Sequence, residues 1–161
     1  MNNSRLYNPR QFLGTMLIIV LTLGICLYAI YVARRAEARE EIRVEISQLI
    51  LQYKNGKTQY IDFSKVSSIT WDRLYIFGPY VQLKNIQGSL GYAWRPDTFF
   101  FPGPDRGFTY LFFTCDGKVI QYVEYPVDWG IFAEMFTKRV YTPDEAHFVM
   151  NSYGSILDVE K

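Results

Sequence analysis

Twenty-one consecutive positions, Phe12 to Val32, carry no charged side chain. A helix crossing the hydrocarbon core of a bilayer needs about 20 apolar residues. The run therefore predicts a transmembrane helix over residues 12–33, behind a short tail, residues 1–11. Tyr7 and Phe12 at one end and Tyr28 and Tyr31 at the other stand where interfacial aromatics are expected. A cleaved signal peptide would have a shorter apolar region, roughly 7–15 residues, followed by small residues. Here Leu27, Tyr28, Ile30 and Tyr31 fill that end. A lipoprotein reading through Cys26 needs a small residue before the cysteine, and Ile25 is bulky.

The pattern then changes period. Between Ile25 and Asn55 there is no Gly or Pro, and residues 34–55 are rich in strong helix formers. Ile42, Ile46, Leu49, Ile50 and Tyr53 form one helical stripe, with Glu and Arg at helical spacing on the remaining faces. Asn55-Gly56 is a helix stop. The expectation is one helix running through the membrane segment and on through this stretch. Its stripe either docks on the following domain or pairs with a second copy as a short coiled coil, giving a homodimer.

From residue 56 to 161 the pattern is that of strands and turns. Gln59 to Phe63 reads as a short strand. Ile69 to Phe77 reads as a longer one, with Ile69, Trp71, Tyr75 and Phe77 on one face and Arg73 interrupting them. Residues 80–88 suit one or two helical turns. Phe108 to Thr114 and Lys118 to Tyr125, joined through Cys115-Asp116-Gly117, predict a β-hairpin with a primed turn. A third strand is expected around Ile131 to Phe136. Thr142-Pro143-Asp144-Glu145 has N-cap, Pro and first-turn acids, and predicts a helix running to Met150. Strands mixed with short helices without alternation predict an α+β domain with an antiparallel sheet.

Two stretches carry a resemblance. Trp71-Asp72-Arg73-Leu74-Tyr75-Ile76-Phe77-Gly78-Pro79-Tyr80 is one. The other is Asp116-Gly117-Lys118-Val119 continuing to Tyr122-Val123-Glu124-Tyr125-Pro126. Together they resemble a family of small bacterial envelope domains anchored by a helix or a lipid. The resemblance implies a bacterial source, an exported domain and no established activity, and it carries no catalytic residue with it. It also implies a place in the bacterial inner membrane with the C-terminal domain on the extracytoplasmic side. The charges flanking the helix point narrowly the other way: Arg5 and Arg10 precede it, and Arg34, Arg35, Arg39 and Arg43 follow.

Charge narrows the partner classes. Six Arg and four Glu precede Lys54, leaving eleven Lys and Arg against twelve Asp and Glu in the rest. A neutral domain without a cationic run argues against nucleic acid. Cys26 lies in the apolar run and Cys115 in the domain, so no intrachain disulfide or zinc spacing is expected. His147 is the only histidine, and a triad or His-based metal site would depend on it. Its expected place in a helix beside Phe148 reads as structural, and Cys115 reads as a small half-buried residue. Gly88-Ser89-Leu90-Gly91 has neither the Lys-Ser/Thr of a phosphate loop nor a nucleophile elbow. The acids Asp97, Asp105, Asp116, Asp128, Asp144 and Glu145 fall at turns and caps, where the backbone uses them. No catalytic set, cofactor or metal site is expected.

Twenty-three of the 28 aromatic residues follow Lys54. The densest stretch is the loop from Trp94 to Phe108, where Phe99, Phe100 and Phe101 are consecutive and cannot share one face. Either the loop closes the core or it presents rings to a protein or lipid partner. As a binding face it would use Trp94, Phe99, Phe100, Phe101 and Arg106. Arg73 is the other candidate, either as an arginine among aromatics receiving a partner's acid or as one paired within the domain. The expected function is a membrane-tethered binding or accessory module of the envelope, acting by protein–protein contact, with the bilayer held through residues 12–33. The alternatives are an envelope hydrolase using carboxylates, or a toxin-immunity or inhibitor protein.

Overall fold

The computed structural model describes residues 9–96, 107–132 and 140–159. Helix α1 spans Pro9–Lys54, and its side chains are exposed from Phe12 to Tyr31. It is long and apolar enough to cross a membrane. Within the apolar run the Thr22 hydroxyl donates back to the Ile18 carbonyl at 2.8 Å, so it adds no unpaired polar group. The chain divides into two compact units, residues 1–34 and 35–161.

The second unit is α+β, with a long helix followed by antiparallel sheets and short helices. Its elements after α1 are β1 (Ile61–Asp62), β2 (Arg73–Phe77), α2 (Leu83–Leu90), β3 (Phe108–Cys115), β4 (Lys118–Pro126), β5 (Ile131–Phe132), β6 (Val140–Tyr141), β7 (His147–Met150) and β8 (Ser155–Asp158). Two four-stranded sheets result, ordered β1-β7-β8-β5 and β4-β3-β2-β6. All pairings are antiparallel except β5 with β8.

The hairpin β3–β4 forms as its sequence predicts. Both turn residues adopt positive φ, Asp116 at 51° and Gly117 at 71°, the combination a primed two-residue turn needs. Thr114 opposes Val119 while Phe113 opposes Gln121, so Ile120 is an extra, bulged residue.

One core lies among the α1 stripe and inner residues of both sheets. It contains Ile42, Ile46 and Ile50 from α1, Leu74, Ile76, Leu111, Phe113 and Val123 from one sheet, and Ile61, Phe132, Phe148 and Ile156 from the other. A second cluster covers the opposite face of β2–β3–β4 with α2 and Trp94, using Phe77, Ile86, Tyr110, Phe112 and Tyr122. This double burial explains why Leu111-Phe112-Phe113 run together: successive side chains alternate between two covered faces. The α1 stripe is thus spent inside the chain's own core. The compact unit begins at Arg35 rather than after the helix, because Ile42, Ile46 and Ile50 belong to that core. The Tyr53 hydroxyl fastens the end of α1 to β7, donating to the Met150 carbonyl at 3.2 Å and accepting from its N–H at 3.0 Å.

Three expectations need correction. The helix expected from Thr142 to Met150 is one 3-10 turn, Pro143–Glu145, followed by β7. The start chemistry is present, since Glu145 Oε2 accepts from the Thr142 N–H at 3.0 Å and from its hydroxyl at 2.9 Å. The residues after it belong to a strand because Phe148 fits a pocket of rings, 5.1 Å from Tyr141, 5.3 Å from Phe63 and 5.7 Å from Phe132. Second, Ile69 and Trp71 do not share a face with Tyr75 and Phe77. The chain bends at Asp72, before β2. Trp71 packs on Phe113 in the main core with Ile69 beside it, whereas Tyr75 and Phe77 join the second cluster. Third, the strand expected from Gln59 to Phe63 is shortened to β1, with Phe63 opening a 3-10 turn that Asp62 caps. Residues 133–136 of the strand expected after Ile131 lie outside the described residues.

Candidate functional site

Of the expected binding residues, Trp94 and Arg73 are among those described. Trp94 is only 9 % exposed, with its ring centroid 4.8 Å from that of Phe112 and 5.4 Å from that of Tyr122. Its carbonyl also accepts from Gln87 Nε2 at 2.7 Å. It is a ring of the second core cluster. Arg73 is exposed where β2 begins, opposite Thr114. Phe99, Phe100, Phe101 and Arg106 lie outside the described residues.

A groove of about 470 Å³ opens elsewhere, between α1 and the segment around β1. Such a volume is typical of ligand sites. α1 contributes Glu45, Gln48, Leu49 and Gln52 to its walls, and the other side contributes Thr58, Gln59, Tyr60, Asp62, Lys65 and Ser67. On α1 these positions recur at spacings of three and four, so they project from one helical face beside the buried stripe.

Two carboxylates reach this groove, and both are committed to the protein. Glu45 accepts from the hydroxyls of Ser67 and Ser68 at 2.9 Å each, and from their N–H groups at 3.1 and 3.3 Å. Burial alone would raise its pKa, but these bonds together outweigh burial and hold the carboxyl below its ordinary value. Asp62 Oδ1 accepts from the Ser64 N–H at 3.0 Å and hydroxyl at 2.5 Å, capping the 3-10 turn. The same oxygen lies 3.4 Å from His147 Nε2, and the His147 ring stands at 82° to that of Tyr60.

Ser64, Asp62 and His147 are not a nucleophilic triad. Ser64 donates to Asp62, with no imidazole between them to take its proton. The acid of a glycosidase-type pair needs a raised pKa, and Glu45, shifted the other way, does not supply it.

The remaining groove residues are differently placed. Gln48, Gln52, Gln59, Thr58 and Lys65 make no side-chain hydrogen bond or ion pair among the described residues. Three primary amides, each both donor and acceptor, therefore face a groove whose charges are already engaged or exposed. Sequence reading missed them because glutamines at helical spacing read as a solvated face, and the β1 wall is brought opposite only by folding.

One further cluster involves Asp72, Cys115 and Asp116, whose ligand atoms lie within 4.8 Å of one another. Its central carboxylate is occupied at the hairpin. Asp72 Oδ1 accepts from the Thr114 hydroxyl at 3.1 Å, and Oδ2 from the Asp116 N–H at 2.8 Å. These bonds account for Asp72 as a clasp on the turn.

No protein-family model, curated protein or solved structure matches the chain.

Proposed function

We propose that the chain is a membrane-tethered binding module of the bacterial envelope, acting by protein–protein contact, with its C-terminal domain on the extracytoplasmic side. The observation that carries the binding role is the groove lined by unengaged amides next to carboxylates spent on structure. Such a surface can hold a ligand through hydrogen bonds, and its Glu45 carboxyl, held below its ordinary value, is not suited to act as a general acid. The membrane tether rests on the apolar stretch of α1. The bacterial and exported parts of the reading rest on the resemblance of residues 71–80 and 116–126.

A photo-crosslinking residue in place of Gln52, in the full-length chain in bacterial membranes, tests the reading. The expected result is one discrete adduct, made only when the domain is exported. Absence of an adduct from Gln52, Gln48 and Tyr60 alike would remove the protein-contact role. Substrate turnover lost on replacing Asp62 would replace it with an enzymatic one.

A further inference from the structure

The edges of the two sheets are finished differently. At β4, side chains cover backbone groups along the strand. Tyr92 Oη accepts from the Val119 N–H at 2.8 Å, and Gln121 Oε1 accepts from the Tyr122 N–H at 3.2 Å. The bulged Ile120 carbonyl accepts from Arg35 Nη1. Protecting an edge in this way blocks the addition of another strand.

Among the described residues β1 has no such cover. It is the outermost strand of its sheet and pairs only with β7. In an antiparallel ladder, the backbone groups of successive residues point alternately toward and away from the partner strand. The Phe63 N–H donates to the Ala146 carbonyl at 2.9 Å. On the far side of β7, the Val159 N–H donates to the His147 carbonyl at 3.3 Å. His147 thus spends its groups on β8, while Ala146 and Phe148 face β1. By register, Ile61 and Phe63 bond to β7, and their neighbour Asp62, opposite His147, points its N–H and C=O outward. Neither group has a partner among the described residues. Asp62 also lines the groove, and α1 forms the facing wall.

Resting on the reading that the module acts by protein contact, we infer that this groove takes an extended, uncharged peptide segment of the partner protein, added as a strand to the free edge of β1. The edge supplies the first ladder bonds through Asp62. Gln48 and Gln52, one turn apart on α1, and Gln59 on the opposite wall supply amide donors and acceptors of the kind a peptide backbone matches. In an extended segment alternate side chains point to one side, so an apolar residue at every second position would meet Leu49 and the Tyr60 ring. Charge sets the class. Glu45 and Asp62 keep their charges but have their oxygens occupied by serines and backbone, so a basic ligand would have to displace those bonds, and their two negative charges against the one of Lys65 disfavour an acidic ligand. Main-chain bonds from a sheet edge with side-chain pockets beside it are a general mode of peptide recognition. A glycan would leave the two outward groups of Asp62 without matched ladder geometry.

The test uses the full-length protein in phospholipid nanodiscs. The probe is an immobilised library of random hexapeptides, acetylated and amidated, built from uncharged residues. The tightest binder is then N-methylated one position at a time, and amide hydrogen exchange is followed at Ile61 and Asp62. Methylation opposite Asp62 should weaken binding roughly tenfold or more, while the adjacent positions, whose N–H groups point away, should change little. Exchange at Asp62 should slow on binding, with Ile61 unchanged. Gln52→Trp fills the groove from an exposed helix position and should abolish binding without lowering Tm. Failure of every library peptide to bind, uniform sensitivity to N-methylation, or full binding by Gln52→Trp overturns the inference. So does slowing of Asp62 exchange by an N-acetylglucosamine tetramer while no peptide binds. A crosslinked adduct from residue 52 that persists through such a failure leaves the protein-contact reading standing and removes only the added strand.

Discussion

Tyr125 is fully buried, yet its hydroxyl has no hydrogen-bond partner among the described residues. Burial raises its pKa well above the ordinary phenol value, so it stays neutral throughout the working range. Its ring packs edge-on against Phe132 at 5.2 Å and Trp129 at 5.7 Å, and those contacts do not need the oxygen. An unpaired buried hydroxyl costs about 1–3 kcal/mol. Tyr125→Phe is therefore expected to raise Tm by several degrees, measured by thermal unfolding of the 35–161 fragment. Glu45 behaves oppositely. Its folded pKa lies below the ordinary 4.5. Its contribution is therefore fully present above that unfolded value and is lost as pH falls through the lower folded value. Denaturant titrations should show Glu45→Gln less stable than the parent by about 1 kcal/mol at pH 7, with the gap closing below pH 4.5. A gap that persists unchanged at acid pH would mean the carboxylate charge is not what Ser67 and Ser68 hold.

At the scale of elements, α1 changes character along its length. Exposed apolar side chains run from Phe12 to Tyr31, whereas Ile42, Ile46 and Ile50 are buried in the core. Arg39 lies 4.2 Å from the Tyr122 ring centroid, and Gln121 Nε2 donates to the Arg35 carbonyl at 3.1 Å, so polar residues also fix the helix to β4. Ile46→Ala should cost about 2–5 kcal/mol, read as a shift of the denaturant midpoint. A loss below 1 kcal/mol would show that the stripe is not core. The same burial bears on the coiled-coil expectation. A dimer through Ile42, Ile46 and Ile50 would have to expose the core they now fill. Only the remaining faces of residues 34–55 are open to a second copy.

At the scale of the whole chain, the two compact units make truncation informative. Residues 35–161 retain the whole α1 stripe with both sheets, so this fragment should fold cooperatively. Residues 56–161 lack three core isoleucines, Tyr53 and the Glu45 clamp. At about 1.5–3 kcal/mol for each buried side chain, that loss is comparable with the usual margin of stability of about 5–15 kcal/mol. Circular dichroism should show a native spectrum with a sharp thermal transition for the first fragment and none for the second. The full-length chain should stay with membranes through carbonate extraction, and deletion of residues 12–32 should release it.

What the sequence determined by itself was whatever is local. The long apolar helix follows from an uncharged run whose length matches a bilayer. The hairpin follows from Asp-Gly between two β-rich runs, and the buried stripe from helical spacing of Ile42, Ile46 and Ile50. Each depends on residues within a few turns or one strand pair. What only the tertiary structure decided was non-local. Residues 147–150 became a strand despite a helix-start sequence before them, because Phe148 gains more from the rings of Phe63, Phe132 and Tyr141 than a short helix could offer. Trp94 became core because the outer face of β3 needed a cover. The groove joins α1 glutamines to an edge strand nine to fourteen residues further along the chain, and its free backbone groups exist only once β7 has paired with the other side of β1. Local pattern fixes which face of an element is apolar, and only the packed fold shows which polar groups remain unpaired.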